Sequence, residues 1–118
     1  MQLRRTGMLA TILAALIGVV WVASARSERV VTMTAKKFEF TPSRIVLHQG
    51  TPVVLELISL DRKHGFAAPE LGIRVEVSPG NPARARVVPT KLGTFAAHCD
   101  VYCGEGHEEM TAEIVVVP

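Results

Sequence analysis

The chain has 118 residues and a formal net charge of +2, with 48% hydrophobic and 20% charged side chains. That length accommodates one ordinary domain and excludes a second globular unit. Arg4 and Arg5 account for the excess charge: without them the 13 basic residues fall to the number of acids, 11, and a neutral remainder carries no signature of nucleic-acid binding.

Residues 1–28 read as a targeting element preceding a domain over 29–118. Arg4 and Arg5 stand before an uncharged apolar run, 8–25, and the first acid is Glu28. At about 18 residues the run is just long enough to span a bilayer core as a hydrophobic helix, which makes it a membrane anchor. Ala23-Ser24-Ala25 is also a small-residue site of the kind a signal peptidase cuts, so a cleaved signal peptide is the other reading. Both place the remainder across the membrane from the two arginines: on the periplasmic or outer face of the inner membrane, or free in the periplasm after cleavage.

Beyond a short polar linker the chain alternates brief apolar runs with Pro and Gly, and no segment has the length and period of an amphipathic helix. The pattern predicts strands over 30–40, 44–48, 52–59, 73–77, 83–88, 93–98 and 111–117. Val53, Leu55 and Leu57 form a wholly apolar face, opposite a mixed face of Val54, Glu56 and Ile58, as in a sandwich strand. His48-Gln49-Gly50-Thr51-Pro52 and Ser78-Pro79-Gly80-Asn81-Pro82 read as turns. The fold class is therefore all-β, a small sandwich or barrel.

The stretch that carries chemistry runs from His98 to Met110 and holds both cysteines, with His107 beside them. Thiolate, imidazole and thioether are soft and borderline donors that suit copper and match calcium or magnesium poorly. His64, Cys103, His107 and Met110 alone supply a mononuclear copper set of two imidazoles, one thiolate and a weak thioether. Cys99 is then surplus, and two thiolates on one loop make a pair of bridged copper ions possible. In that arrangement His64 and His107 each serve one metal, while Met110 and a backbone carbonyl between the cysteines bind weakly. His64 is distant in sequence, and a sandwich whose loops gather at one end brings it to the others.

Cys99-x-x-x-Cys103-x-x-x-His107-x-x-Met110, with His64-Gly65-Phe66 upstream, resembles the CuA motif of cytochrome c oxidase subunit II. The likeness extends through Phe38-Glu39-Phe40-Thr41-Pro42, Pro79-Gly80 and Glu113-Ile114-Val115-Val116, and is nearest to the short ba3-type subunit II. It implies a cupredoxin-like Greek-key β-sandwich and a binuclear CuA copper centre held by His64, Cys99, the Val101 carbonyl, Cys103, His107 and Met110. It also implies a respiratory role: electrons from a cytochrome c or small cupredoxin donor passing to the catalytic subunit of a haem-copper oxidase. Two positions depart from many relatives. Val101 stands where they carry a glutamate that reaches a second metal, so no magnesium or manganese ligand is expected here. The single tryptophan, Trp21, lies in the apolar run, so electrons must be taken up through another surface.

Plainer readings apply elsewhere. Two cysteines in an exported chain commonly form a disulfide, and it is the His and Met spacing that favours metal here. Alternation with Phe95, Ala97 and Cys99 puts His98 on the opposite strand face, outside the ligand set. His48 reads as a solvated turn residue and Met33 as a core residue, while Phe66 is either a buried core aromatic or a shield of the centre that offers the donor an apolar contact. Asp100, Glu105, Glu108 and Glu109 are either a solvated loop or a surface that steers a basic donor. No nucleophile with a neighbouring base, phosphate loop or haem-attachment motif is present, so no catalytic residue is assigned. Two other functions use the same residues: a free-standing carrier or store of copper, and a disulfide-bonded domain with a vestigial site.

Overall fold

The computed structural model describes Gly18 and residues 28–118. The anchor or signal peptide expected over 8–25 otherwise lies outside the described residues, as does Trp21.

Nine strands form two sheets. They are β1 (Arg29–Lys36), β2 (Glu39–Thr41), β3 (Arg44–His48), β4 (Val53–Ser59), β5 (His64–Ala68), β6 (Ile73–Val77), β7 (Ala83–Val87), β8 (Gly93–His98) and β9 (Thr111–Val117). One sheet has the order β2-β1-β4-β7 and the other β3-β9-β8-β5-β6. β1 with β4 and β3 with β9 are parallel, and the remaining pairs are antiparallel. Among the described residues there is no α-helix, and no helix is long and apolar enough to cross a membrane.

Alternation sets the faces, because successive side chains on a strand point to opposite sides. Met33 and Ala35 of β1, Leu55 and Leu57 of β4, Leu47 of β3 and Ile114 of β9 point inward and are buried between the sheets. Phe40 and Phe66 bridge the layers edge to face, with ring centroids 5.2 Å apart. Met33 and Phe66 are thus core residues, Phe66 by the first of its two readings.

The run expected as one strand over 30–40 is broken by a two-residue turn at Lys37 and Phe38, after which the chain folds back on itself as β2. The inward positions record the break: Met33 and Ala35 share one parity, Phe40 has the other, and Ala35 pairs across the hairpin with Phe40. β5 was not anticipated. All five of its residues are buried, so it shows no polar alternation, and Gly65 and its alanines carry little strand propensity. Its place between β8 and β6 supplies the pairing that local sequence does not announce.

Candidate metal centre

β5 opens on His64, whose side chain is wholly buried. β8 delivers Cys99 next to it, since Cys99 continues the inward parity of the buried Ala97. The loop from Cys99 to Met110 then returns upon itself, and the Cys99 N–H donates to the Met110 carbonyl at 3.0 Å to close its base. Within the loop the His107 N–H donates to Gly104 at 3.2 Å, and a single helical turn, His107–Glu109, carries the chain into β9. Gly106 has φ of +93° and lies under the Phe38 ring; a Cβ there would stand 3.2 Å from that ring. Any side chain at Gly106 would be strained in backbone and crowded by the β1–β2 turn.

One ligand-type atom from each of His64, Cys99 and Cys103 lies within 4.8 Å of the others, and all three residues are buried. The Cys99 Sγ is 3.9 Å from His64 Nδ1, and the Cys103 Sγ is 3.5 Å from His107 Nδ1. Both imidazoles therefore present the same nitrogen to a sulfur. The Val101 carbonyl oxygen accepts from the Cys99 thiol at 3.2 Å. Met110 is wholly buried where the loop rejoins β9, and His107 is half-buried. Both cysteines are free thiols. Burial first, and then the neighbouring Cys99, push the Cys103 thiol up.

The donor set fits copper. Two thiols and two imidazoles converge, with His64 and both cysteines buried and His107 half-buried, and their S···N separations are what two metal–ligand bonds of about 2.0–2.3 Å span when they meet at an open angle. The donors are too soft for an oxygen-seeking cation.

Other histidines stand apart. His98 is exposed, as its strand parity requires, and His48 is exposed with Nδ1 3.2 Å from the Pro118 carbonyl oxygen. Asp100 does not join an acidic face, because Arg74 Nε donates to its Oδ2 at 2.7 Å. Glu105, Glu108 and Glu109 remain exposed around the loop, as does Tyr102, at 67%. The Tyr102 ring centroid lies 5.7 Å from that of His107.

Two residues that the sequence reading passed over support the site. Asp61 Oδ1 is 2.6 Å from His64 Nε2, and Arg62 Nη1 donates to the Cys103 carbonyl at 3.3 Å. The sequence signal was slight: a charged turn, Asp61-Arg62-Lys63, directly before a histidine that begins a buried strand. Burial works against ionisation of Asp61, but the N–H of Lys37, the His64 ring and the N–H of Arg62 together hold its carboxyl below the ordinary range.

The cupredoxin-like domain family matches residues 9–116. Cytochrome c oxidase subunit 2 of Thermus thermophilus is 34% identical over 95 residues, covering 80% of this chain and 70% of that protein. The chain belongs to the cytochrome c oxidase subunit II family. It spans 56% of a second subunit 2 from the same species, again at 34% identity over 80% of this chain. Among solved structures, the periplasmic domain of subunit II of cytochrome oxidase from Bradyrhizobium japonicum superposes with a TM-score of 0.70 at 19% identity, covering 78% of this chain and 86% of that one. A chain of a haem-copper terminal oxidase dimer gives 0.68 at 23%, covering 80% and 68%. These two superpositions establish the cupredoxin-like fold of the subunit II homologue.

Proposed function

We propose that this chain is the electron-accepting subunit of a haem-copper terminal oxidase, with two copper ions held by His64, Cys99, Cys103, His107, Met110 and the carbonyl of Val101. The single observation that carries this is the convergence of two free, buried thiols with two imidazoles, each offering Nδ1 to a sulfur. Copper bound by these residues would supply a one-electron couple; the remaining work is done by the chain.

His64 and Cys99 are fixed from two paired strands, β5 and β8, while Cys103 and His107 are fixed from the loop. A ligand frame held from outside by a packed sandwich changes shape little, and that keeps the cost of electron exchange low. Burial of His64, Cys99, Cys103 and Met110 excludes water and side reactions at sulfur. The same burial opposes the ready metal exchange that a copper carrier requires.

Donor contact falls to the rim. Tyr102 offers an exposed aromatic surface on the loop between the cysteines, beside His107, and Glu105, Glu108 and Glu109 give the surroundings a negative character. This combination suits a basic cytochrome c or small cupredoxin, steered by charge and met through a small apolar contact. The apolar run 8–25 is assigned to the membrane and 29–118 to the domain on its periplasmic or outer face, next to the oxidase catalytic subunit. That placement rests on the sequence and on the kinship with oxidase subunits.

The test is reconstitution of the full-length chain in detergent with copper, followed by metal analysis and optical and EPR spectra. Two coppers per chain with an unpaired electron shared over both nuclei is the expected result. One copper per chain, or a Cys99–Cys103 disulfide and no copper, overturns the reading.

A further inference from the structure

His64 is wholly buried, and its two ring nitrogens face different groups: Nδ1 the Cys99 sulfur at 3.9 Å, Nε2 the Asp61 carboxylate at 2.6 Å. A neutral imidazole carries one N–H, and an ionised carboxylate can only accept. On a neutral ring this geometry favours the proton on Nε2, with the Nδ1 lone pair toward the sulfur.

Asp61 is itself held. Its Oδ2 accepts from the Lys37 N–H and its Oδ1 from the Arg62 N–H, both at 2.7 Å. The Ser59 hydroxyl accepts from the Asp61 N–H at 3.4 Å and donates to the Arg62 carbonyl. The turn after β4 is thus a bracket tied to the β1–β2 turn on one side. On the other, Arg62 reaches the carbonyl of Cys103. Among the described residues His107 has no such anchor: its ring is half-buried, and its neighbour across the ring is the exposed Tyr102.

We infer that Asp61 is the positioning residue for His64, holding its proton on Nε2 and its ring in place so that Nδ1 faces Cys99 before any metal arrives. The two imidazoles are then unequal donors, one anchored by a carboxylate and one free to adjust. A carboxylate behind a metal-bound imidazole fixes the tautomer and raises the basicity of the ring, and losing such a partner typically costs about 10–100-fold in metal affinity. The consequence for copper rests on the function proposed above, whereas the tautomer is a property of the metal-free chain.

The experiment is long-range proton–nitrogen NMR on the metal-free, nitrogen-15-labelled full-length chain in detergent, with Asp61→Ala and Asp61→Asn beside the wild type. His64 is expected to be the Nε2–H tautomer in the wild type and to lose that bias in both variants. The Asp61→Asn variant tests the point even if the alanine variant does not fold, because its amide keeps an acceptor for a backbone N–H while offering His64 a donor in place of an anion. Unchanged amide shifts in β3 and β9 show that the fold is retained. Copper titration is then expected to show weaker binding by about 10–100-fold in the variants. A His64 tautomer that is Nδ1–H in the wild type, or that does not respond in a folded variant, overturns the inference. Wild-type chain that shows the expected tautomer but takes up no copper overturns the function and leaves the positioning intact.

Discussion

The carboxylate of Asp100 occupies the space that a Cβ on Gly65 would need, and a methyl of Val101 stands 3.1 Å from the same point. Glycine is therefore required at position 65 by the close approach of the cysteine loop, with no unusual backbone angle involved. Arg74 anchors Asp100 from β6 at 2.7 Å, so the carboxylate is not free to swing aside. Gly65→Ala is expected to lower stability by about 1–3 kcal/mol, the usual cost of overpacking. Adding Asp100→Ala should recover most of that loss in chemical denaturation. A cost that the second substitution leaves unchanged would place the clash at Val101 instead.

The two cysteines are distinguished by what surrounds them. Cys99 sits against His64 and the Val101 carbonyl, inside the strand frame; Cys103 sits against His107 in the loop. Cys99→Ser and Cys103→Ser should each abolish a signal shared over two coppers. Cys103→Ser still leaves His64 at the start of β5 and Cys99 directly after β8, so it should retain the tighter residual single-copper binding of the two variants. Metal analysis with EPR on the reconstituted variants checks the order, and the reverse ranking would mean that the loop, and not the sandwich, preorganises the centre.

What the sequence made legible here followed from periodicity and from spacing. Val53, Leu55 and Leu57 announced β4 because a strand alternates, and Cys99, Cys103, His107 and Met110 stood out because one loop carried them all. β5 was hidden because it is buried along its whole length: His64-Gly65-Phe66-Ala67-Ala68 has no polar beat, and its strand character comes from neighbours distant in sequence. Asp61 was hidden for a related reason. A charged residue in a turn is ordinarily solvated, and only the fold brings its carboxylate against the buried His64. The split between β1 and β2 was readable in retrospect, since the shift of parity between Ala35 and Phe40 requires a turn.

Glu105, Glu108 and Glu109 surround the loop without a basic partner among the described residues. Replacing all three by glutamine is expected to slow reduction of the copper-loaded chain by a basic cytochrome c about tenfold at low ionic strength, through lost steering. Near 1 M salt, where the screening length falls to about 3 Å, the variant and the parent should converge. Stopped-flow rates across a salt series measure this. Equal rates at low salt would mean that the acids only solvate the loop and that contact is governed by Tyr102 and its surroundings.

The Cys103 thiol, pushed up by burial and by Cys99, makes the stability of the metal-free chain depend on pH. An unfolded cysteine titrates near about 8.5. Above that value the unfolded chain has released a proton that the native chain still holds, so stability falls as pH rises toward the native value. Below it the contribution is complete. Asp61 acts in the opposite sense: its carboxyl is held low, so its contribution is complete above the ordinary carboxylate value of about 3.9 and is lost as acid titrates the folded group. Chemical denaturation of the metal-free chain should therefore show a fall as pH rises above about 8.5 that Cys103→Ser reduces. Because copper displaces the thiol protons, its affinity should rise with pH over the range in which the metal-free chain weakens. A copper affinity flat from about pH 6 to pH 8 would mean that the Cys103 thiol is already ionised in the folded chain, contrary to its burial.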